Sequence, residues 1–315
     1  MSLTLRTHVG RPVAAESSSK TILRYLVAAV AAALVFFSTV MSFAQAPTSA
    51  PAGTPAVATL SEPYGVAVDK TGQVYVTNLI SNTVTVYNKA FKLVGTIATG
   101  MNVPEAIAIG TGGNIYVGNT VGNNVTVYGP DLVQFSTITD SLLQNPTQMF
   151  VDRNNDIWVL DARGVVHLYL DTGAPINYVY LPGTTAIAEW DSVKFGDTWT
   201  AWGPDGNGGY WAYYQNLGEA LHNGLDNRGT ISSLPQAFAV TQDAQGNHYL
   251  IDASRDTVWL ISADFSSSRQ LFVTFGPAYG IAVDSLNKRL YISEPTLNQV
   301  AVYSTTTLKL IGNIK

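Results

Sequence analysis

Two sets of recurring positions in this 315-residue sequence carry side chains able to bind or do chemistry. Tyr64, Glu105, Thr147, Thr198, Gln236 and Tyr279 each stand near the start of a short apolar run. Asn78, Asn119, Asp161, Tyr213, Asp252 and Glu294 each close the run that follows. The second set holds three carboxylates and two amides, the oxygen ligands that a hard cation such as calcium takes, and equally the groups that bind a polyhydroxylated ligand. The same residues at a strand end ahead of a turn accept backbone N–H bonds and shape the loop, and repetition in most copies is what that structural role requires. The first set has one charged member, Glu105, so it offers a binding surface more readily than a pair of catalytic acids. The expected binding residues are therefore Tyr64, Glu105, Gln236, Tyr279, Asp161, Asp252 and Glu294, joined by Trp190.

Trp190 heads an aromatic cluster. Trp190, Trp199, Trp202 and Trp211, four of the six tryptophans, crowd into one stretch with Tyr210, Tyr213 and Tyr214. Aromatic faces there would stack on sugar rings or anchor a peptide, with Glu189, Asp191 and Glu219 adding polar contacts; large rings filling space between sheets give the same pattern. His167, His222 and His248 fall at unlike places in the repeat, which argues against a three-histidine zinc site. Asp152-Arg-Asn-Asn-Asp156 opens like a calcium loop, but Ile157 replaces the required glycine and Arg163 the bidentate glutamate. No nucleophile elbow, zincin helix, phosphate loop or dinucleotide fingerprint is present. The absence of cysteine removes disulfides, thiolate metal sites and a cysteine nucleophile. No catalytic residue is assigned, and no cofactor is expected unless the carboxylate set holds a divalent cation.

These positions are set by a repeat. Pro63-Tyr-Gly-Val-Ala-Val-Asp69, Gly72-Gln-Val-Tyr-Val-Thr-Asn78 and Asn82-Thr-Val-Thr-Val-Tyr87 return as Pro104–Ile109, Gly113–Asn119 and Asn124–Tyr128, then as Pro146–Asp152, Asn155–Asp161 and Val165–Tyr169. Later copies begin at Pro235 and Pro277. The turn residues Gly72, Gly113, Asn155, Gly206, Gly246 and Asn287 step by about 41 residues, with one longer interval before Gly206. Each copy holds three alternating runs rich in Val, Ile and Tyr and then a fourth, such as Leu93–Ile97, the pattern of four antiparallel strands. A four-stranded sheet has two faces to cover, so neighbouring sheets stack around a ring. The expected fold is all-β: a six-bladed β-propeller of four-stranded antiparallel blades over residues 59–315. In the fourth copy the spacing favours Trp199–Trp202 as innermost strand, Tyr210–Tyr214 as second, and an insertion over 184–197; a rival register makes 188–194 the innermost strand and moves the extra residues to 215–229.

The motif Pro-x-Gly-Val-Ala-Val-Asp followed by Gly-x-Val-Tyr-Val resembles the NHL repeat, and Tyr75-Val-Thr-Asn78 with Asn82-Thr-Val-Thr-Val86 equally resembles the YVTN repeat of cell-surface propellers. The resemblance implies a propeller with ligands on the face where the inner strands begin; it fixes no activity. Related propellers include metal-dependent lactonases, for whose channel glutamate Glu62 is the nearest match, and lyases that depend on histidine.

Residues 1–44 read as a signal peptide or an uncleaved anchor helix, since Arg6, Arg11, Lys20 and Arg24 precede the uncharged run Tyr25–Phe43 and cleavage fits after Ala44. Residues 45–58 read as a Pro/Ala/Thr-rich linker. Loss of the leader removes four of 17 basic and one of 22 acidic residues, leaving 13 against 21 and a net charge of −8. That charge repels phosphate backbones, so nucleic acid is not an expected partner. The sequence thus points to an extracytoplasmic, monomeric module that binds a protein, peptide or glycan, touching a membrane only if the leader is retained. A metal-dependent lyase or lactonase at the channel mouth is the alternative.

Overall fold

The computed structural model describes residues 60–151, 155–163, 165–170, 173, 175–180, 199–204, 210–214, 219–222, 228–230, 237–252, 254–264 and 266–315. The chain separates into two units, Met1–Ala56 and Val57–Lys315, and the leader and linker expectations fall outside the described residues. No helix among the described residues is long and apolar enough to cross a membrane.

The strands come in consecutive sets of four. The first set is β1 (Pro63–Val68), β2 (Val74–Asn78), β3 (Thr83–Tyr87) and β4 (Leu93–Ile97); the second is β5 (Pro104–Ile109), β6 (Ile115–Asn119), β7 (Asn124–Tyr128) and β8 (Gln134–Thr139). The third is β9 (Pro146–Val151), β10 (Ile157–Asp161), β11 (Val165–Tyr169) and β12 (Pro175–Tyr180); the fourth is β13 (Trp199–Pro204), β14 (Tyr210–Tyr214), β15 (Glu219–His222) and β16 (Arg228–Thr230). The fifth is β17 (Ala237–Gln242), β18 (His248–Asp252), β19 (Thr257–Ile261) and β20 (Ser268–Val273); the last is β21 (Ile281–Asp284), β22 (Arg289–Glu294), β23 (Gln299–Ser304) and β24 (Leu310–Ile314). Each set pairs antiparallel in chain order, so no strand is exchanged between sheets.

The first strands lie side by side: β1 touches β5 and β21, and β5 touches β9. Second strands are buried along their length, as in β2 and β6, whereas fourth strands such as β4 and β8 alternate outward. Both faces of a blade are covered. Val74, Val76 and Tyr87 pack against Tyr291, Val300 and Val302 of the last sheet, and Tyr75, Val84 and Val86 against Ile107, Ile115 and Val117 of the second. Further cores join the second sheet to the third and the fifth to the last. Leu60, 5% exposed, enters the core between the last and first sheets and so helps hold the ring closed there.

The expectation of a six-bladed propeller is corrected. Five four-stranded sheets form the run of regular blades joined by these side-chain cores. The fourth repeat departs from them: its backbone pairs as β13–β16, but its outer two strands shrink to four and three residues, and Gln148 of β9 reaches past it to donate to the Phe238 carbonyl of β17 at 3.2 Å. In sequence this repeat replaces the alternating Val and Ile of its neighbours with runs such as Tyr210-Trp-Ala-Tyr-Tyr214. Its strands do begin where the favoured register put them; the insertion lies outside the described residues.

Inner strands approach closely enough to dictate sequence. A Cβ on Gly65 would collide with the Glu105 carbonyl oxygen, and one on Gly280 with that of Tyr64. At both joints a hydroxyl from the second strand ties the neighbours together. Thr77 Oγ1 accepts Gly65 N–H at 2.7 Å and lies 3.3 Å from the Glu105 oxygen. Ser293 Oγ accepts Gly280 N–H at 2.7 Å and donates to the Tyr64 carbonyl.

Candidate functional site

The residue before each strand-opening proline adopts a left-handed conformation: Glu62 (φ 51°), Val103 (54°) and Asn145 (50°). Each N–H is taken by an asparagine at the tip of the preceding blade's second hairpin. Val103 donates to Asn82 Oδ1 at 2.6 Å, Asn145 to Asn123 Oδ1 at 2.7 Å, and Glu62 to Asn298 Oδ1 at 2.8 Å across the ring closure. The three asparagines are themselves left-handed, at φ 51°, 49° and 47°, a conformation that asparagine tolerates well. These staples fix where the inner strands begin, and so fix Tyr64 and Glu105.

The last repeat breaks the rule. Its proline, Pro277, sits one place early relative to Tyr279 and Gly280, so the position matching Glu62 has no N–H to give. Ala278 donates instead to the carbonyl of Arg255 at 2.7 Å. Arg255 is the left-handed residue (φ 64°) of the hairpin between β18 and β19, and its side chain is thereby released from stapling. It turns to the mouth. The guanidinium carbon sits 4.2 Å from the Phe238 ring centroid and 4.5 Å from that of Tyr279, in the corner made by two rings at 86°. Nη1 donates to Tyr279 Oη at 2.7 Å. Tyr279 in turn packs against Tyr64, with centroids 4.8 Å apart.

Tyr64, Tyr279 and Glu105 are thus brought to one place. Burial raises the Tyr64 phenol well above its ordinary value, with the Glu105 charge adding to the rise and Arg255 opposing it. Burial also pushes the Glu105 carboxyl up to about 7, against a smaller pull from the Thr120 hydroxyl. Arg255 and Glu105 form no ion pair among the described residues.

The strand-end set behaves differently. Asn78 Oδ1 accepts Ser61 N–H at 3.0 Å and Asn119 Oδ1 accepts Asn102 N–H at 2.9 Å. Glu294, fully buried, accepts Phe275 N–H at 2.7 Å and the Gln299 amide at 2.6 Å. Asp252 accepts the Ser254 hydroxyl at 2.7 Å. Asp161 is buried against Arg163 at 2.6 Å and His167 Nε2 at 3.2 Å, while Asp140 lies 3.7 Å from the opposite ring nitrogen. The two carboxylates therefore meet different edges of the imidazole and do not converge on one ion. Among the described residues no three His, Asp or Glu side chains form a cation-sized group. The oxygens of this set accept hydrogen bonds within their own loops. His248 contacts Gln242 at 3.2 Å in a different sheet from His167. Gln236 and Trp190 lie outside the described residues.

Sequence reasoning missed Arg255 and Phe238, although the displaced Pro277 was a visible signal. It also missed a set of exposed apolar side chains on the face where the inner strands start: Ile80 (67% exposed), Val121 (56%), Leu142 (44%), Phe275 (61%) and Leu297 (44%).

No family model matches the chain, and no curated protein is similar to it in sequence. Its backbone is similar to virginiamycin B lyase from Staphylococcus aureus, at 14% identity over 80% of this chain and 83% of that one with a TM-score of 0.54. It is similar also to hydrazine synthase of Kuenenia stuttgartiensis (17% identity, 82% and 80%, TM-score 0.52). A third likeness is to the β-propeller domain of Cps50 (Swd1) from Myceliophteria thermophila (9%, 81% and 87%, 0.54). The chain has a β-propeller fold. At these identities the likeness speaks for architecture alone, and a propeller hosts catalysts and binding modules alike.

Proposed function

We propose that this propeller is a non-enzymatic binding module that docks a partner protein or peptide across the face where its inner strands begin. One observation carries the reading: on that face the hairpin tips and incoming loops expose Ile80, Val121, Leu142, Phe275 and Leu297, around a centre holding Tyr64, Phe238, Tyr279 and Arg255. Apolar anchors with tyrosine and arginine are the composition of protein interfaces. A glycan surface calls for an aromatic ring left bare for stacking, and Arg255 lies over the Phe238 and Tyr279 rings. Its repeat motifs resemble those of NHL and YVTN propellers, which supports a binding role, and a leader of the kind read in residues 1–44 would carry the module to the extracytoplasmic side; we read it as a monomer.

The test is selection by the full-length protein from a random peptide library and a glycan array in parallel. Enrichment of peptides that disappears in an Ile80→Asp/Val121→Asp variant with an unchanged melting temperature is the expected result. Equal enrichment by the variant, or binding confined to glycans, would overturn the reading.

A further inference from the structure

Arg255 is a cation prepared for a ligand. Its guanidinium is held on two sides, by the Phe238 and Tyr279 rings at 4.2 and 4.5 Å, and at one nitrogen by Tyr279 Oη at 2.7 Å. Its remaining N–H groups have no acceptor among the described residues, and no carboxylate pairs with it there. A partly buried arginine with fixed orientation and spare donors is a ready receptor for a planar, two-oxygen anion, because the fork geometry matches a carboxylate and little side-chain freedom is lost on binding.

The rest of the face decides how many charges the ligand carries. Glu62 and Asp256 are exposed on it, Asp252 lies at the hairpin between β18 and β19, and Asp140 in the connection from β8 to β9. A run of acidic residues would be repelled by these groups, whereas a single carboxylate delivered to the centre would meet the Arg255 cation, with Glu105, whose proton burial helps to retain, as the one acid beside it. Apolar side chains beside that carboxylate would rest on the rim that Val121, Phe275 and Leu297 provide.

We propose that Arg255, set in the corner of Phe238 and Tyr279, is the receptor for one carboxylate of a bound peptide, either its chain terminus or an Asp or Glu side chain. This rests on the peptide-binding reading above, and the two fail separately.

The experiment uses synthetic heptapeptide pools against the full-length protein. Four pools are compared: free or amidated at the carboxy terminus, each with or without Asp and Glu. Binding of carboxylate-bearing pools at least about tenfold tighter than the neutral pool, with that advantage lost in Arg255→Gln and partly kept in Arg255→Lys, is the expected outcome. The acid-free pool with a free terminus and the amidated pool with Asp and Glu tell the two carboxylate sources apart. Tyr279→Phe, which keeps the ring and removes the hydroxyl that orients the guanidinium, should lose a smaller factor, about threefold, and covers the case in which Arg255→Gln does not fold. An unchanged preference in the Arg255 variants, or equal binding of neutral and anionic pools, overturns the proposal and leaves peptide binding standing. Binding of no pool overturns both readings. An Arg255-dependent preference for oligogalacturonate over every peptide pool overturns the peptide assignment.

Discussion

The hairpin tips at Asn82, Asn123 and Asn298 and the one at Arg255 solve the same task with different atoms. In the first three a left-handed asparagine spends its side-chain oxygen on the N–H that precedes the next blade. At the fourth the backbone carbonyl of Arg255 makes the connection, because Pro277 has no N–H where the asparagine's partner would stand. A one-residue displacement of a proline therefore frees a side chain at the centre of the face. A structural tie and the proposed receptor occupy neighbouring positions in the same motif, and what separates them is whether the backbone or the side chain closes the joint.

Both arrangements depend on the spacing of inner strands, so the largest effect should come from disturbing it. Gly65→Ala and Gly280→Ala place a Cβ against the backbone carbonyls of Glu105 and Tyr64, which cannot rotate away. Each is expected to cost at least about 3 kcal/mol, at or above the upper end of ordinary overpacking, measured by urea denaturation. Gly280→Ala should in addition disturb the Tyr64–Tyr279 pair. A cost below about 1 kcal/mol would mean that the joints are softer than the close contacts require.

The second effect asks whether Glu105 is the hidden counter-charge of Arg255. A paired glutamate would hold its proton less tightly than usual; burial instead pushes Glu105 up to about 7. The unfolded chain then ionises first, near its ordinary value of 4.5, and gains the stability of that ionisation alone until the folded chain follows. Folding stability should fall as pH rises from about 4 to 8, by up to about 3 kcal/mol from this residue. The difference between the parent and Glu105→Gln across that range isolates it, since Gln does not titrate. A parent that gains stability with rising pH relative to Glu105→Gln would return Glu105 to Arg255 as its partner.

The repeat was legible because its cause is local. Alternating Val, Ile and Tyr between Gly and Asn turns can form only short strands with two apolar faces, and the turn positions follow: Gly72, Gly113, Asn155 and Gly246 all have positive φ. At the last turn Lys288, rather than Asn287, takes the left-handed role. The nearness of Tyr64, Glu105 and Tyr279 was legible because they hold fixed places in the repeat. Arg255 was not, because it enters from a different strand, and its value depends on two rings brought beside it by folding. The fourth repeat was legible as divergent but was still counted as a sixth blade, because a period counts residues and does not report how regular a sheet they form. The carboxylates Asp161 and Glu294 were correctly placed at strand ends, but spacing could not show that their oxygens are consumed by Arg163 and by the Phe275 and Gly276 amides.

The finest comparison is between the two kinds of hairpin tip themselves. Asn82→Ala removes the acceptor for a partly buried N–H and leaves alanine in a left-handed conformation, for about 2 kcal/mol in total; Asn82→Gly relieves the backbone and should cost about 1. Asn298→Ala should fall between them, because water can reach Glu62. Arg255→Ala keeps the carbonyl that receives Ala278 and is expected to cost about 1 kcal/mol or less, mainly from contact with the two rings. Thermal melts of the four variants rank them. If Arg255→Ala destabilised the fold as much as Asn82→Ala, the arginine would be one more structural tie and its freedom at the mouth only apparent. A small cost, by contrast, is what a side chain released from the joint should show, since its remaining donors contribute to folding nothing that solvent does not also supply.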